Sequence, residues 1–359
     1  MSRNPAGKEW EIRDMLRRAN SSPDRHGSLR HETFRRLIDL AHSENAGLKI
    51  LAAGNIRFFL TDFPDLEEAA IDAIYDLCED SSPKVRVEGY LAITQVSKTQ
   101  SKWIKRNVDV LVQLLQSEEA DEVVVVKKAL AEHLDMDPKT TLGVLCDQII
   151  PQNDTADEEE LSTRERLRSL VLAFMAGEAK RAICERHAVP GEPVLYEGLF
   201  AAIPHLGMKD LQLIIKDLMY ALPAFKPGKP NERGSELLQL LLAEKATPAL
   251  KTDLHVGSKT LVLTMTRPIL EICEHITCAL QVAPAVDLLQ FYCTSLIGKI
   301  TLQKFQPAEQ QWIVCSLARV LGAAEGQRHT PRLVSLRRTI VDACPYLLEV
   351  GYPFIYTFT

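Results

Sequence analysis

Catalysis or metal binding needs ionisable or nucleophilic side chains at spacings that let them converge, and this sequence offers few. Eight cysteines stand at 78, 146, 184, 273, 278, 293, 315 and 344, and none forms a CxxC pair. The tightest group is Cys273, His275 and Cys278. On a helix, position 275 lies about 200° round from 273. The three therefore share no face and make a poor metal site. Buried thiols beside a partly exposed imidazole, in a reducing compartment, are the simpler reading. The histidines nowhere pair at ligand spacing, and no GxSxG, Walker loop, GxGxxG or HExxH occurs. The sequence predicts neither an enzyme nor a cofactor.

Three groups could instead hold a partner. Asp154, Asp157, Glu158, Glu159 and Glu160 fall in PQNDTADEEE, a polar stretch read as a flexible loop over 151–160. Such a run can speed the approach of a basic partner, although like-charge runs are more often solvated linkers. Lys102, Lys105 and Arg106, with Lys98 nearby, surround Trp103. Basic residues around an aromatic can touch RNA phosphate and stack a base. The plainer reading has Trp103 anchoring a helix start while the lysines keep it soluble. The group Arg13, Arg17, Arg18, Arg30, Arg35 and Arg36 has the same two readings. Leu111, Leu114 and Leu115 form an LxxLL string, which on an exposed helix can dock in a partner's groove. Here the leucines lie on the stripe that should face the next helix, so core packing is expected.

The elements that must position these groups read as helices. Over 48–96, Leu48, Leu51, Ala52, Ile56, Phe59 and Leu60 recur at helical spacing. A second stripe runs from Leu66 through Ile71 and Ile74 to Cys78, and a third from Val85 through Tyr90 and Ile93 to Val96. Turns of a few residues make such helices antiparallel neighbours. Between the second and third lies Glu79-Asp80-Ser81-Ser82-Pro83. Ser81 or Ser82 is expected to cap the next helix, with Pro83 at its first position. An acidic turn followed by Pro-x-Val-Arg and a small residue, Gly89, is the mark of a HEAT-type hairpin. Asp80, Pro83 and Arg86 are its structural residues, with Arg86 reaching back to the acidic groups of the turn.

Further helices are expected over 9–19, 29–41, 103–115, 123–136, 138–150, 161–176 and 177–187. In the helix over 29–41, Arg30, Arg35 and Arg36 should point outward. The valine run 123–126 is locally strand-like, but its neighbours carry it into a helix. Val189-Pro190-Gly191-Glu192-Pro193 should break the pattern, and 226–230 reads as a linker. Helices over 195–203, 209–221, 235–246, 258–280, 284–300, 307–322 and 330–348 follow, with 260–266 ambiguous. The aromatic ending GYPFIYTFT reads as an extended tail or as the mark of a longer protein. Hairpins of roughly 35–45 residues recur without a strict period, as degenerate repeats would give. The fold class expected is all-α, an α-solenoid of stacked antiparallel hairpins.

Composition agrees. With 46% hydrophobic and 25% charged residues, the 359-residue chain can bury a core. Aromatics at 6% with abundant Leu and Ala suit helix packing. A net charge of −6 argues mildly against nucleic acid as the main partner. The first residues lack the apolar core of a secretory leader, and no run of about 20 apolar residues could span a membrane.

Several stretches together resemble the apoptosis inhibitor 5 family, also called antiapoptosis clone 11. They are Ile56-Arg57-Phe58-Phe59, Phe63-Pro64-Asp65-Leu66, Ala70-Ile71-Asp72-Ala73, Asp76-Leu77-Cys78-Glu79-Asp80, Leu111-Val112-Gln113-Leu114-Leu115-Gln116, the run from Asp135 to Gly143 (DMDPKTTLG) and Gln148-Ile149-Ile150. The match is close over 45–150 and looser over 161–322, resting there on Arg164-Glu165-Arg166, Pro190-Gly191-Glu192 and Ala221-Leu222-Pro223-Ala224-Phe225. The resemblance implies HEAT-like hairpins over 1–187 and ARM-like hairpins over 188–359, continuous with them. It implies a scaffold without catalytic activity, nuclear and also cytoplasmic, that suppresses apoptosis by binding proteins. The family's partners include the chromatin-condensation factor Acinus, fibroblast growth factor 2 and an mRNA-export helicase, so an adaptor role in mRNA processing or export is the alternative. Two features depart from the family. Leu333, Ile340 and Leu347 give a zipper-like spacing over one helix only, and no basic tail follows.

Overall fold

A computed structural model describes residues 5–150, 158–255, 260–327 and 330–351. Among these the secondary structure is helical, apart from one bridge between Leu261 and Phe305. The chain divides into two compact units, Met1–Gly198 and Leu199–Thr359.

The first unit holds α1 (Pro5–Ser21), α2 (Ser28–Leu40), α3 (Ala46–Ile56), α4 (Glu67–Cys78), α5 (Pro83–Thr99), α6 (Ile104–Gln113), α7 (Ala120–Met136), α8 (Pro138–Ile149), α9 (Glu158–Ala176) and most of α10 (Ala188–Ala202). Local chemistry sets several of the starts. Asn45 and Asp137 each accept a backbone N–H of the first turn, from Leu48 at 3.1 Å and Thr140 at 3.0 Å. Pro83 and Pro138 open α5 and α8, where a missing N–H costs nothing. The valine run is helical, inside α7. In α10 the expected break does not occur. Pro190 sits in the first turn, where no intrahelical donor is needed, and Pro193 removes a single bond.

Each helix packs on its near neighbours. α3, α5 and α7 form one row, α2 and α4 and then α6 and α8 pair in another, and α4–α5 and α6–α7 join the rows. Leu48, Ala52, Ile56, Leu77, Ile93, Leu111 and Leu130 are buried between them. α5 approaches the end of α4 so closely that a Cβ at Gly89 would lie 2.9 Å from Cys78 Sγ and 3.0 Å from its backbone nitrogen. The small residue expected there is thus a packing requirement.

Arg30 corrects the sequence reading. It is buried rather than outward. Its guanidinium sits 4.7 Å from the Phe59 ring centroid, pairs with Asp62 at 2.6 Å and donates to the carbonyls of Ala19 and Phe58. The end of α1 and the turn after α3 present carbonyls with spare acceptor capacity at this corner. A five-donor side chain satisfies them together.

The second unit contains α11 (Met208–Gln212), α12 (Glu232–Leu240), α13 (Thr247–His255), α14 (Thr266–Glu274), α15 (Ala285–Ser295), α16 (Lys299–Leu302), α17 (Pro307–Gly326) and α18 (Pro331–Gly351). π-helical turns over Leu213–Leu218, Leu241–Ala246 and His275–Ala279 extend α11, α12 and α14. The helix expected over 258–280 begins only at Thr266, because Leu261 is held extended by bonds with Lys304 and Gln306. Buried Asp253 then gathers the N–H groups of Met265 and Thr266 at the start of α14. The zipper-like spacing falls on α18 alone and packs inward. Leu333 and Leu347 are core residues of α18 against α15 and α17, and Ile340 is half-buried. The exposed row is one position on, at Val334, Val341 and Leu348. No helix among the described residues is long and apolar enough to cross a membrane. The aromatic ending, 352–359, lies outside the described residues.

A directional polar chain crosses the core of the first unit. Tyr75 donates to Asn107 Oδ1 at 2.7 Å, and Asn107 donates to Ser97 Oγ at 2.8 Å. Ser97 lies 2.8 Å from His133 Nε2, and His133 Nδ1 lies 2.7 Å from the Ala129 carbonyl. A carbonyl only accepts, so Nδ1 carries the proton and Nε2 accepts from Ser97. The ring is neutral and wholly buried, and burial holds its pKa below the ordinary value. An unfolded histidine gains its proton near pH ~6.5. The unfolded state therefore binds more protons below that pH, and folding stability falls as pH drops. Urea unfolding at pH 7.5 and 5.5 should show a loss of up to about 1.4 kcal/mol from this residue. His133→Gln should remove that part of the slope, and an unchanged slope would refute the assignment.

Candidate functional site

The turn between α4 and α5 is where the sequence and the geometry meet. Arg86, one turn into α5, projects toward α7. Its Nε lies 3.0 and 3.1 Å from the two carboxylate oxygens of Glu122, and Nη2 closes the fork. Its Nη1 donates to the backbone carbonyl of Asp80 at 2.8 Å. The reach back expected of Arg86 therefore goes to carbonyls, not to the acidic side chains of the turn. Those carbonyls have lost their helical partners at the end of α4, whereas the Asp80 carboxylate is already engaged. It accepts the Ser82 N–H at 2.8 Å and pairs with Lys49 of α3. This also corrects the cap, since neither serine side chain caps α5. Pro83 opens the helix as expected.

Glu122 is among the most buried charges in the unit, its side chain 3% exposed. Tyr90 and Ser117 donate to it at 2.9 and 3.2 Å. The Arg86 hydrogen bonds, then those of Tyr90 and Ser117, hold its pKa below the usual carboxylate range against the opposing effect of burial. The Lys49 hydrogen bond does the same for Asp80.

The other proposed groups separate on inspection. Lys102 pairs with Glu67 at 2.6 Å, and Trp103 is buried with its indole N–H donating to the same carboxylate at 2.7 Å. Arg106 pairs with Glu68 at 3.0 Å and Asp72 at 2.9 Å and lies over the Tyr75 ring. α4 thus neutralises most of this basic group, and Trp103 has no free face on which to stack a base. Lys105 alone of the three basic residues is exposed without an ion pair among the described residues. Leu111 and Leu115 are core and Leu114 is half-buried, so the LxxLL string packs inward. Asp154 and Asp157 lie outside the described residues. Glu158, Glu159 and Glu160 are helical rather than loop, forming the first turn of α9, where carboxylates suit the positive end of the helix dipole. Glu160 pairs with Arg164. Cys273, His275 and Cys278 do not converge, and no cluster of three or more metal-ligating side chains occurs among the described residues.

A recurrent interval between partners is the feature that sequence reading missed. In the first unit, Arg30–Asp62, Lys49–Asp80, Lys98–Glu132, Lys102–Glu67 and Arg86–Glu122 are 32, 31, 34, 35 and 36 residues apart. The interval grows to 51 for Lys127–Glu178 and Arg186–Asp135, which bracket the polar stretch at 151–160. In the second unit, Arg319–Glu274 and Arg332–Asp287 are each 45 apart. Charges alone gave no hint of which partner each would take. The constant offset could have been sought.

A family model of apoptosis inhibitory protein 5 matches residues 14–346. The chain belongs to this family. Apoptosis inhibitor 5 of Gallus gallus is 30% identical over 242 residues, covering 64% of this chain and 43% of that protein. Apoptosis inhibitor 5 of Homo sapiens is 33% identical over 170 residues, covering 46% and 32%, and apoptosis inhibitor 5-B of Xenopus laevis is 30% identical over 221 residues, covering 58% and 41%. The matches span less than half the length of these relatives. The family assignment agrees with the ordered set of sequence stretches that suggested it.

Removing Arg86 leaves the Glu122 carboxylate buried with only two neutral donors. Arg86→Ala should cost about 3 kcal/mol in urea unfolding, and a change within about 0.5 kcal/mol would make Arg86 an ordinary surface residue. Both carboxylates titrate lower when folded, so their stabilisation is complete above the unfolded pKa near ~4 and is lost progressively as the pH falls from there through the lower folded pKa. The loss between pH 5 and pH 3 should be smaller in Glu122→Gln. An acid limb identical to the parent's would overturn that.

Proposed function

We propose that this member of the family is a non-catalytic scaffold of stacked helical hairpins, HEAT-like in its first half and ARM-like in its second, that restrains cell death by binding other proteins. The observation that carries the reading is the recurring offset between side-chain partners. Offsets of 31–38 residues over α2–α7, widening to 51 across the polar stretch at 151–160, and of 42–45 in the second unit correspond to one hairpin or one three-helix repeat. Each repeat is thereby joined to the next through its own turn and helix ends. Stacked repeats use their inner faces for one another and leave outer helix faces for partners. The family name supplies the biological context, and RNA-processing and cell-death factors of the kind associated with it are the expected class of partner. A nuclear site of action follows from the same context.

An adaptor role in mRNA processing fits the scaffold if it acts through proteins. Direct RNA contact finds less support, because Lys102 and Arg106 are already paired.

Affinity capture with the tagged protein from nuclear extract, with and without nuclease, tests the proposal. RNA-processing or apoptotic proteins retained after nuclease treatment are expected. Their absence, or recovery only through RNA, would overturn the protein-scaffold reading.

A further inference from the structure

Across α3, α5 and α7 the first unit carries a shallow groove with an apolar floor and an acidic wall. Ile50 and Val87, both half-buried, and Pro83 form the floor; Glu88, Glu119 and Asp121 stand around it, with Lys84 as the single cation. The floor continues along the same helix faces into exposed residues. Leu91, one turn beyond Val87, is 42% exposed, and Val124, one turn beyond Asp121, is 66% exposed. Gly54, one turn beyond Ile50, has nothing within 4 Å of where a Cβ would stand.

Several carboxylates on this row and on the elements beside it are consumed by the joints between repeats. Glu67, Asp80, Glu122 and Glu132 all have cationic partners. Glu88, Glu119 and Asp121 have none among the described residues. They surround apolar surface that the fold leaves wet. Three uncompensated carboxylates against one lysine give a net negative wall, and such a wall favours a cationic partner over an anionic one.

We infer that this groove is a docking site for a segment of another protein in which apolar side chains alternate with lysine or arginine. Apolar side chains of the segment would cover Ile50, Val87, Leu91 and Val124, while its basic groups meet Glu88, Glu119 and Asp121. The segment crosses three successive helices of one row, so its docking needs the row held together by the Lys49–Asp80 and Arg86–Glu122 joints. The inference rests on the scaffold reading and names the face that scaffold would use.

The test uses the whole chain and a short fluorescein-labelled peptide of alternating lysine and leucine, with a lysine–serine peptide as control, read by anisotropy. The lysine–leucine peptide should bind, and the lysine–serine peptide should bind much more weakly. The triple variant E88K/E119K/D121K should weaken binding by about tenfold or more. E88Q/E119Q/D121N serves the same purpose should charge reversal at the start of α7 impair folding. Val87→Ser should weaken binding several-fold. D217K/E244K/E349K, with the same change of net charge on exposed residues of the second unit, should leave it within about twofold.

Equal loss in that distant triple would reduce the binding to net charge and overturn the groove. So would binding indifferent to Val87→Ser. Concentration-dependent dimerisation abolished by the groove variants would assign the face to a second copy and overturn the proposal likewise. Nuclear capture with the groove variants separates the two levels. An unchanged set of captured proteins removes this groove and leaves the scaffold standing, whereas no captured protein in the parent removes both.

Discussion

A buried carboxylate cannot stay charged without a partner that reaches it, and Glu122 is where this unit meets that constraint. It sits at the start of α7 with almost no access to water. Two neutral donors come from Tyr90 and Ser117, but its charge is met by Arg86, which belongs to the preceding hairpin. The same guanidinium satisfies the frayed end of α4 through the Asp80 carbonyl. One side chain therefore fixes three elements. Asp80 repeats the arrangement one step earlier by binding Lys49. The penalty for separating such a pair exceeds what a surface ion pair contributes, so an alignment of α3, α5 and α7 that parted these charges would be disfavoured.

The apolar core does the complementary work. Leucine, isoleucine and alanine seams bring helices together without dictating which turn faces which. The polar chain from Tyr75 to His133 and the buried Arg30 remove that freedom, since each has a single satisfactory arrangement of donors and acceptors. Gly89 adds a steric constraint, admitting α5 to contact with the end of α4 that any Cβ would prevent. What remains on the outside is helix surface relieved of structural duty. Its charges are left over where the joints have not recruited them, as at Glu88, Glu119 and Asp121 among the described residues.

Helical periodicity was legible throughout, and the elements it marked in the first unit are present within a few residues of their expected ends. The second unit was harder. π-helical turns displace the 3.6-residue stripe by one position, so a single periodic reading over 209–221, 235–246 or 258–280 misplaces the boundaries. The Pro-Gly-Glu-Pro stretch reads as a break because proline is penalised in a helix interior, but Pro190 falls in the first turn, where the penalty vanishes. Arg30 was expected in solvent because arginine usually is. Nothing local announces that the carbonyls of Ala19 and Phe58 and the carboxylate of Asp62 will converge on it from segments up to 32 residues away.

The sequence alone determined that the chain is helical, where most turns of the first unit fall, that Leu48, Leu60 and Leu77 are core and that Arg86 belongs to a structural turn. These follow from interactions within about one or two helical turns, which composition and spacing encode directly. The tertiary structure alone decided that Glu122 receives Arg86, that Lys102 and Arg106 are consumed by α4, that Leu333 and Leu347 turn inward while Val334 and Leu348 do not, and that Glu88, Glu119 and Asp121 find no ion-pair partner among the described residues. Each of those outcomes depends on which residues some 30–45 positions away arrive beside a side chain, and a charge carries no mark of its partner until the helices are packed.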